Sequence, residues 1–452
     1  MKIAIVGTGI SGAAAAWQLK SHAEITFFEQ SDFEGGHGYT AELEIDQNPH
    51  PVEMDIGVQI IRSDIAPHVF ALIESHPEFS HVELSEVPVS FMSRSIYGSK
   101  ELHYTNMPEY QEEFPFAKGW AEHAEECRRF EELTVELDAA SLLLPIKTWL
   151  ERNHFSKEFA YQILVPSMSL VNVTRNGLLD GLFLTNLGSP SSLVSLLAPN
   201  MWYRFSDSVK GFRRVLMRGL EERVRLSTRV IACYTKRNGE VEVLTQTKQE
   251  KVEKQTFDAL IWSGDLLGAR QALDHPENMY RYQHKRALKP FKREAAFVYI
   301  HQDASWLPNS MPHVSTAVFE DCSGHGRMHY NLSVLQNKPS QTPVWVSVCK
   351  GESTQASKNL LHPVIHWVHP MNNPMTFQAQ RQLHKVQGLG GIWFCGAGTV
   401  VDGFDACMVS GWVIAERICH DVSYLYKQPK TRQQERASQI YQKMSNMWMF
   451  PR

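Results

Sequence analysis

The sequence predicts an α/β protein organised around a parallel β-sheet. A short apolar run, 2–6, is followed by a glycine-rich turn, by the alanine-rich segment 13–20 and by a second apolar run, 25–29. This order of strand, turn, helix and strand is a βαβ unit. The pattern returns near the other end of the chain, where the apolar run 391–395 precedes a glycine turn and a helical segment. We therefore expect one α/β domain assembled from separated segments.

The segments between these two ends are of both structural types. Charged and apolar residues alternate at helical spacing in some of them, and apolar runs bounded by turn residues indicate strands in others. In chain order they are a glutamate-rich helical stretch (110–137), apolar segments (159–173 and 181–197), an amphipathic helix (212–222), a hairpin (224–247, with its turn at 237–239), a buried strand (257–262) and a helix (408–418).

The composition is that of an ordinary globular protein. Of the 452 residues 43% are hydrophobic, and 45 Lys+Arg against 49 Asp+Glu leave a net charge of −4. This balance opposes a protein dedicated to nucleic acid. The first apolar strand follows Met1 directly, so we expect no secretory signal. The uncharged stretch 182–203 is too polar to span a membrane.

The cysteines favour a reducing, cytoplasmic setting. Their number is odd and none forms a C-x-x-C pair, so the sequence indicates neither a disulfide framework nor a thiolate metal centre, and we expect no metal. The seven are Cys127, Cys233, Cys322, Cys349, Cys395, Cys407 and Cys419.

A dinucleotide-binding fingerprint follows the first strand. Gly7-x-Gly9-x-x-Gly12 opens the first helix, and Glu29 ends the next strand. The glycines allow a tight turn, a close approach of the backbone to a pyrophosphate and close packing of helix on strand, while the helix N-terminus offers N–H groups to phosphates. Glu29 can accept hydrogen bonds from ribose hydroxyls. The alternative is a glycine turn that binds nothing, which this context disfavours.

A second glycine turn distinguishes FAD from NAD. Gly35-Gly36-His37-Gly38-Tyr39 follows Glu29 closely and is placed to return against the same dinucleotide. An ordinary nicotinamide dehydrogenase has no need of such a turn, so the pattern favours FAD. The alternative is a flexible surface loop.

These residues resemble the opening of the FAD-dependent amine oxidase and phytoene desaturase superfamily. Members of that family often have arginine where this chain has His37, and the Gly-Gly-His version is similar to a bacterial subgroup of NAD/FAD-binding flavoproteins. Asp55-x-Gly57 resembles the family's Asp-x-Gly element beside the flavin, whereas 403–411 is one residue shorter than the subgroup's usual run. Further similar segments are 87–93, 301–303 with Pro308, 335–336, 369–370, 379–380, 393–397 and 410–411.

The resemblance implies the domain organisation. A Rossmann-type FAD-binding domain, similar to that of glutathione reductase, would comprise residues 1–62, 205–268 and 386–426. An interleaved α+β substrate domain would comprise residues 63–204 and 269–385.

The resemblance also implies a set of cofactor-binding residues. The first glycine turn would bind the pyrophosphate, Glu29 the ribose and the second turn the flavin side. Val230 would pair with adenine through its backbone, and a helix N-terminus near Met408 and Val409 would face the pyrimidine end of the flavin. The complete set is Gly7, Gly9, Ile10, Ser11, Gly12, Glu29, Gln30, Gly36, His37, Gly38, Tyr39, Asp55, Gly57, Val230, Gly396, Ala397, Met408 and Val409.

Candidates for catalysis are few. His37 would lie beside the flavin, where a structural hydrogen-bonding role is favoured over proton transfer. Lys289 and Lys292 lie near the position where some amine oxidases keep a lysine beside flavin N5, although solvated lysines are the more common case.

Other reactive side chains have a structural interpretation. His362, His366 and His369 have helical spacing that could suit a metal, but Pro363 and Pro370 interrupt a helix, so a loop near the active site is favoured. Cys395 and Cys407 could suggest redox chemistry or covalent attachment of flavin, although buried neutral thiols are more common.

The expected function is that of an FAD-dependent, amine oxidase-like oxidoreductase. It would transfer a hydride from a C–N or C–C unit of a partly hydrophobic small molecule to flavin N5, with reoxidation by dioxygen or another acceptor. One alternative is a desaturase or monooxygenase acting on an alkyl or fatty-acyl chain. Others are an NAD(P)H-using monooxygenase or isomerase, and a non-catalytic binding protein, since Rab GDP-dissociation inhibitors resemble the same fold.

The last segment, 427–452, differs from the rest of the chain. It carries six Lys/Arg against the single Glu435, and an apolar stripe at helical spacing that predicts an amphipathic tail. Docking on its own domain is favoured, and a protein partner or a peripheral membrane contact is the alternative. The stripe consists of Ile440, Tyr441, Met444, Met447 and Trp448.

Overall fold

The structure is a computed structural model. The residues it describes are 1–45, 49–97, 100–107, 117–135, 141, 144–172, 194, 198, 201–303, 314–320, 326–338, 340–349, 359–371, 373–400 and 403–449. Nearly all of the predicted apolar segment 181–197, together with Pro308 and Cys322, lies outside these residues.

Strands and helices occur in both halves of the chain. The strands are β1 Lys2–Val6, β2 Glu24–Phe28, β3 Thr40–Leu43, β4 Val52–Asp55, β5 Leu84–Pro88, β6 Phe91–Tyr97, β7 Lys100–Thr105, β8 Ala117–Lys118, β9 Met201–Phe205, β10 Val224–Arg225, β11 Thr228–Thr235, β12 Val241–Thr247, β13 Val252–Phe257, β14 Ala259–Trp262, β15 Arg293–His301, β16 Thr316–Glu320, β17 Gly326–Asn331, β18 Trp345–Cys349, β19 Ile365–Pro370 and β20 Ile392–Phe394. The α-helices are α1 Ile10–Leu19, α2 Pro67–Ser75, α3 Trp120–Val135, α4 Ile146–Arg152, α5 Lys157–Phe159, α6 Val165–Asn172, α7 Val209–Met217, α8 Leu266–Ala272, α9 Arg281–Leu288, α10 Leu332–Leu335, α11 Pro374–Gln382, α12 Phe404–Ile418 and α13 Arg432–Lys443.

A five-stranded parallel sheet forms the centre of the first domain. Its order is β10-β2-β1-β14-β20, so its strands come from each of the segments 1–62, 205–268 and 386–426. Val6 is in register with both Phe28 and Trp262, which places the carboxyl ends of β1, β2 and β14 at one edge of the sheet. The predicted α/β fold class with a Rossmann-type parallel sheet is confirmed.

Helices α1 and α12 pack on this sheet side by side. The small residues Ala13, Ala14, Ala15 and Ala16 are fully buried, and they let α12 approach closely. Gly411 of α12 lies against the carbonyl oxygen of Ser11, where an added Cβ would overlap that oxygen. The two helices are therefore held by backbone contact, and their N-termini lie at the same edge of the sheet.

An eight-stranded mixed sheet forms the second domain. Its order is β19-β15-β18-β17-β16-β6-β7-β8. One face packs on an apolar cluster that includes Val346 and Val348 of the sheet and Phe130 and Trp149 of helices α3 and α4. The smaller sheets are β11-β12-β13, β3-β4 and β5-β9.

Most of the predicted elements are present, and their ends differ in places. The hairpin turn at 237–239 is correct, with Gly239 at φ +88°. The amphipathic helix starts at Val209 and ends at Met217, because Gly219 follows at φ +81°. The C-terminal helix predicted from 408 begins a full turn earlier, at Phe404. The described part of the glutamate-rich stretch is helical from Trp120.

The C-terminal tail folds back on the first domain. Helix α13 packs on α2, and Tyr441, Met444 and Met449 join the core cluster formed by α1 and α12. The Tyr441 ring stacks on Tyr424 with centroids 3.8 Å apart. The predicted protein or membrane partner for the tail stays a prediction. Across the described ranges, no helix has both the length and the apolar character needed to cross a membrane.

Candidate cofactor site

The first glycine turn is built by close backbone packing at the end of β1. The Gly7 N–H donates to the Phe28 carbonyl (2.9 Å), and Gly7 has φ +98°, where a side chain is strained. A Cβ on Gly12 would lie 2.5 Å from the Gly7 carbonyl oxygen and 2.7 Å from Ser263 Oγ. Gly7 and Gly12 are therefore required by the turn itself.

Gly9 differs from these two glycines because its backbone faces open space. An added Cβ on Gly9 would meet no atom within 4 Å. Gly9 is also the N-cap of α1, and no side chain caps that helix. The first-turn N–H groups, from Ile10 to Gly12, have no intrahelical acceptor, so they and the helix dipole are available to an anion.

Glu29 is held rigidly between the two glycine turns. Its carboxylate accepts hydrogen bonds from the Thr8 N–H (3.0 Å), the Thr8 hydroxyl (2.9 Å) and the Ser31 N–H (3.0 Å). The Thr8 hydroxyl in turn accepts from the Gly35 N–H (3.2 Å). A carboxylate has about four acceptor positions, so Glu29 retains capacity for a ribose hydroxyl. The neighbouring Gln30 is exposed.

The second glycine turn lies directly against the first. Gly35 has φ +105°, and Gly36–Gly38 form a 3₁₀ turn. A Cβ on Gly36 would meet only Gly9 Cα, at 3.6 Å. The buried Arg213 stabilises the turn through an ion pair with Glu34, the residue that precedes Gly35. The two glycine backbones thus meet beside the N-terminus of α1.

The Asp55-x-Gly57 element holds the second turn rather than facing an open space. The Asp55 carboxylate is 4% exposed and accepts from the Val209 N–H (3.0 Å) and from the Thr40 hydroxyl (2.6 Å). Burial raises the pKa of Asp55 to about 6, while these two donors act in the opposite direction. A Cβ on Gly57 would overlap the His37 carbonyl oxygen.

The C-terminal glycine turn completes the edge of the sheet. Gly396 follows β20 at φ +96°, and its N–H donates to the Ser410 hydroxyl (2.8 Å). A Cβ on Gly396 would lie 3.0 Å from the Ser263 carbonyl oxygen and 3.1 Å from Ser11 Oγ. The partly buried Ala397 begins the next turn. The third glycine segment is therefore in contact with the first.

Met408 and Val409 do not lie at a helix N-terminus, and this corrects the sequence prediction. Helix α12 begins at Phe404 after Gly403, without a side-chain cap, and both residues are fully buried in the core on its second turn. The first-turn Asp405 accepts hydrogen bonds from the His68 N–H (2.9 Å) and the Val69 N–H (3.1 Å). The first-turn N–H groups without an intrahelical acceptor are those of residues 404–406, because the Cys407 N–H donates to the Gly403 carbonyl (3.0 Å).

Val230, the residue expected to pair with adenine, lies at a register shift in β11. Val230 is 7% exposed and pairs with Thr245, and a register shift separates Val230 from Ala232. The start of this strand joins the end of β2, because the Thr228 N–H donates to the Glu29 carbonyl (2.7 Å). Val230 therefore lies two residues after Thr228, which contacts Glu29. The register shift next to Val230 leaves backbone groups of the strand unpaired.

His37 is packed between aromatic rings. It stacks on His369 with centroids 4.6 Å apart and an interplanar angle of 7°, and it meets Trp367 edge-on at 4.9 Å. Burial, together with the positive charge of a protonated His369, lowers the pKa of His37 to about 3. A neutral imidazole of such low basicity is a poor base near pH 7, so this environment favours packing over proton transfer.

The other candidate side chains are dispersed. Lys289 and Lys292 are both exposed on the connection between α9 and β15. His366 and His369 lie in β19 rather than in a loop, and their spacing of three puts them on opposite faces of the strand. His362 contacts Tyr39 Oη at 3.3 Å. Burial raises the pKa of the Cys395 thiol to about 12, and Cys407 is also buried.

The residues of this edge fit an FAD. The open space at Gly9 and Gly36, the uncapped N-terminus of α1, and the acceptor capacity of Glu29 suit a pyrophosphate and a ribose. The uncapped N-terminus of α12 suits an anionic group at the flavin end.

Several residues of the edge were not expected from the sequence. Thr8 joins Glu29 to the second glycine turn, and Arg213 supports that turn. Ser263 donates to the carbonyls of Val6 (2.9 Å) and Gly7 (3.0 Å). Polar residues within two positions of the end of a buried strand are the signal that could have identified Thr8 and Ser263.

Comparisons with known proteins agree with this architecture. A family model described as an NAD(P)-binding Rossmann-like domain matches residues 5–75. A search of curated protein sequences finds no match. Among solved structures, the CLA-producing fatty acid isomerase from P. acnes is similar over 92% of this chain and 98% of that chain, with 14% identity and a TM-score of 0.63.

Two amine oxidases are similar to a comparable degree. Cyclohexylamine oxidase from Brevibacterium oxydans IH-35A covers 92% of this chain and 99% of that chain, with 14% identity and a TM-score of 0.59. Putrescine oxidase, in its wild-type form bound to putrescine, gives the same coverage, 13% identity and a TM-score of 0.57. At this level of identity the matches show that the fold is shared.

Proposed function

We propose that the chain is an FAD-dependent oxidoreductase of the amine oxidase type. One observation carries the proposal: where the two glycine turns meet, an added Cβ would contact no atom at Gly9 and only the Gly9 Cα at Gly36, and this open backbone lies between the Glu29 carboxylate and the glycine turn at Gly396. We call the edge from Glu29 past Gly9 and Gly36 to Gly396 the cofactor groove. A ribose acceptor at one end and a second helix N-terminus, that of α12, at the other suit the two ends of a single extended dinucleotide.

Each part of the groove has a defined task in this proposal. The first turn of α1 donates N–H groups to the pyrophosphate, and Glu29 accepts from the adenosine ribose. The second glycine turn and the turn at Gly396 enclose the ribityl chain. The N–H groups that begin α12 stabilise negative charge at the pyrimidine end of the flavin.

The second glycine turn supports FAD in preference to NAD. The chain commits Arg213, Asp55 and Gly57 to holding this turn against Gly9. A nicotinamide dinucleotide needs only the first turn and the acidic residue that follows it. Bound FAD supplies a two-electron acceptor for a hydride from a C–N or C–C unit, with reoxidation by dioxygen or another acceptor.

The protein has little further chemistry to supply. Its tasks are to orient a partly hydrophobic small molecule and to exclude water from the reacting bond. The ring cluster of His37, His369 and Trp367 provides a packed aromatic surface for this purpose, and His37 is neutral near pH 7. We therefore expect the pH dependence of the rate to reflect the substrate rather than His37.

A second candidate is chemistry on an alkyl or fatty-acyl chain. It is favoured by the similarity to a fatty acid isomerase, whose TM-score of 0.63 is higher than those of the two amine oxidases described above. The same groove would serve desaturation, monooxygenation or isomerisation, because each of them uses the cofactor in the same place.

The decisive experiment is the visible spectrum of the purified protein, with Gly9→Ala as the test of the groove. The alanine meets no protein atom and Gly9 has φ −63°, so the fold is retained. Its methyl group occupies the approach to the pyrophosphate, and we expect FAD affinity to fall about tenfold or more, equivalent to about 1.4 kcal/mol.

Gly268→Ala is the matched control. Its φ is not positive and its Cβ would make only ordinary contacts, the nearest at 3.4 Å from the Trp262 ring, so this variant should keep both the fold and FAD binding. Wild-type protein that neither contains flavin nor takes up added FAD would reject the enzyme and support a non-catalytic role. Anaerobic flavin reduction by amines or by fatty-acyl compounds then separates the two candidate functions, and bleaching by NADPH alone would point to a monooxygenase.

A further inference from the structure

A group of potential metal ligands lies at the opposite end of α1 and α12 from the cofactor groove. His22 follows α1, and Cys419 and Asp421 follow α12. One imidazole nitrogen, one thiol sulfur and one carboxylate oxygen of these residues lie within 4.8 Å of one another. His22 and Cys419 are almost 400 positions apart in the chain, so only the fold brings them together.

The backbones that carry the three side chains are fixed. The His22 N–H donates to the Leu19 carbonyl (2.8 Å), the Cys419 N–H to Ala415 (3.0 Å) and the Val422 N–H to Cys419 (3.1 Å). The two helices are themselves in backbone contact through Gly411. The backbone therefore keeps the three potential metal ligands near one another before any ion binds, which reduces the entropic cost of metal binding.

The chemical character of the group matches zinc. Zn²⁺ binds cysteine sulfur, histidine nitrogen and carboxylate oxygen at about 2.0–2.3 Å, so ligand atoms on one ion are separated by roughly 3–4 Å. The three ligand atoms lie within 4.8 Å of one another, close to this spacing, and their side chains are partly or fully exposed. A thiolate excludes Mg²⁺ and Ca²⁺ as the preferred ions.

The local electrostatics also favour a cation. The C-terminal ends of α1 and α12 converge here, and each carries a partial negative charge. Within the described part of the chain, His22, Cys419 and Asp421 form no hydrogen bond or ion pair through their side chains. Lys20, two positions before His22, is directed to the Arg218 carbonyl and to Glu78.

We propose that His22, Cys419 and Asp421 form a zinc site with water as the fourth ligand. The ion would join the C-terminal end of α1 to the C-terminal end of α12, at the edge of the parallel sheet opposite the cofactor groove. Helix α1 is 10 residues long, so the site is about 15 Å from the Gly9 end. The zinc is therefore a structural clamp on the domain and takes no part in the redox chemistry.

The test uses the full-length protein after treatment with a chelator and dialysis. Titration with ZnCl₂, followed by calorimetry, should show one strong site per chain, and the thermal unfolding temperature should rise with zinc concentration. His22→Ala, Cys419→Ser and Asp421→Asn should each weaken zinc binding about tenfold or more. His420→Ala is the matched control, because His420 lies between two of the ligands and outside the group.

Alkylation of Cys419 measures zinc binding at the thiol directly and separates it from a general change in protein stability. Cys419 is only partly buried, whereas the other described cysteines are buried. Zinc should protect Cys419 from iodoacetamide, as measured by mass spectrometry, in the wild type and in His420→Ala but not in His22→Ala. Absence of a strong site, or equal protection in His22→Ala, overturns the proposal. Neither result depends on whether the protein contains flavin.

Discussion

Buried polar groups occur both at the edge of the parallel sheet and on the face of the eight-stranded sheet opposite its apolar cluster, but their hydrogen-bond partners differ. At the parallel sheet the partners are largely backbone groups, as where Glu29 accepts from the N–H groups of Thr8 and Ser31. At the eight-stranded sheet they are titratable side chains, because His301 and His329 share the hydroxyl of Ser347. We therefore expect the first region to be sensitive to added volume and the second to protons.

The histidine pair of the second region has a defined pattern of donors. The Asp303 N–H donates to His301 Nδ1 (3.1 Å), so His301 carries its proton on Nε2 and donates it to Ser347 Oγ (2.7 Å). The Ser347 hydroxyl then donates to His329 Nδ1 (2.7 Å). Burial lowers the pKa of His301 to about 4 and that of His329 to about 3. Both rings are therefore neutral at pH 7.

The largest effect is expected from Gly411→Ala in the first region. The added Cβ would overlap the Ser11 carbonyl oxygen, and this backbone atom cannot move without separating α1 from α12. We expect a loss of about 3 kcal/mol or more of unfolding free energy, measured by urea denaturation, together with loss of bound FAD.

Gly268→Ala is the control for this substitution. Its Cβ would make an ordinary contact at 3.4 Å with the Trp262 ring, and Gly268 lies inside α8. Alanine should stabilise that helix slightly. If the unfolding free energy of Gly411→Ala were no lower than that of Gly268→Ala, close backbone packing at Gly411 would not make the first region sensitive to added volume.

The next effect is the acid sensitivity of the second region. The unfolded chain has histidine pKa values near 6.5, above the folded value of about 4 for His301. Between these pH values the unfolded state binds more protons than the folded state. The contribution of neutral His301 to the unfolding free energy is therefore complete above pH 6.5 and decreases as the pH is lowered toward 4. The difference between the two pKa values of His301 corresponds to about 3 kcal/mol of unfolding free energy.

His301→Gln isolates this contribution. The amide cannot titrate, so the urea midpoint of the variant should fall less steeply between pH 6.5 and 4 than that of the wild type. Equal slopes for the wild type and His301→Gln would show that the buried pair does not make this region sensitive to acid.

The difference between the regions explains how much could be predicted from the sequence. The parallel sheet and the turns at Gly9 and Gly36 were predictable, because tight backbone geometry requires glycine at fixed spacing. The prediction was wrong at Met408, because α12 begins a full turn earlier, after Gly403, and its first-turn Asp405 caps the distant helix α2. The histidine pair and the proposed zinc ligands carry no local pattern, and they meet only through strand order and helix packing.

The smallest effect concerns the C-terminal tail, and it shows how far the first region extends. The Tyr441 hydroxyl donates to Glu416 of α12, and the Tyr441 ring stacks on Tyr424. Tyr441→Phe keeps the stacked ring and removes the hydrogen bond, so we expect a loss of about 1.5 kcal/mol in urea denaturation, with no change in FAD content.

Tyr441→Ala should cost more, because it also removes ring packing from the core shared with α1 and α12. Tyr282→Phe, at an exposed tyrosine, should have no effect. If both Tyr441 variants unfolded like the wild type, the tail would contribute nothing to the domain on which it lies, and its basic, amphipathic character would have to serve a partner instead. A graded loss from phenylalanine to alanine would place the tail within the first region, where packing decides stability.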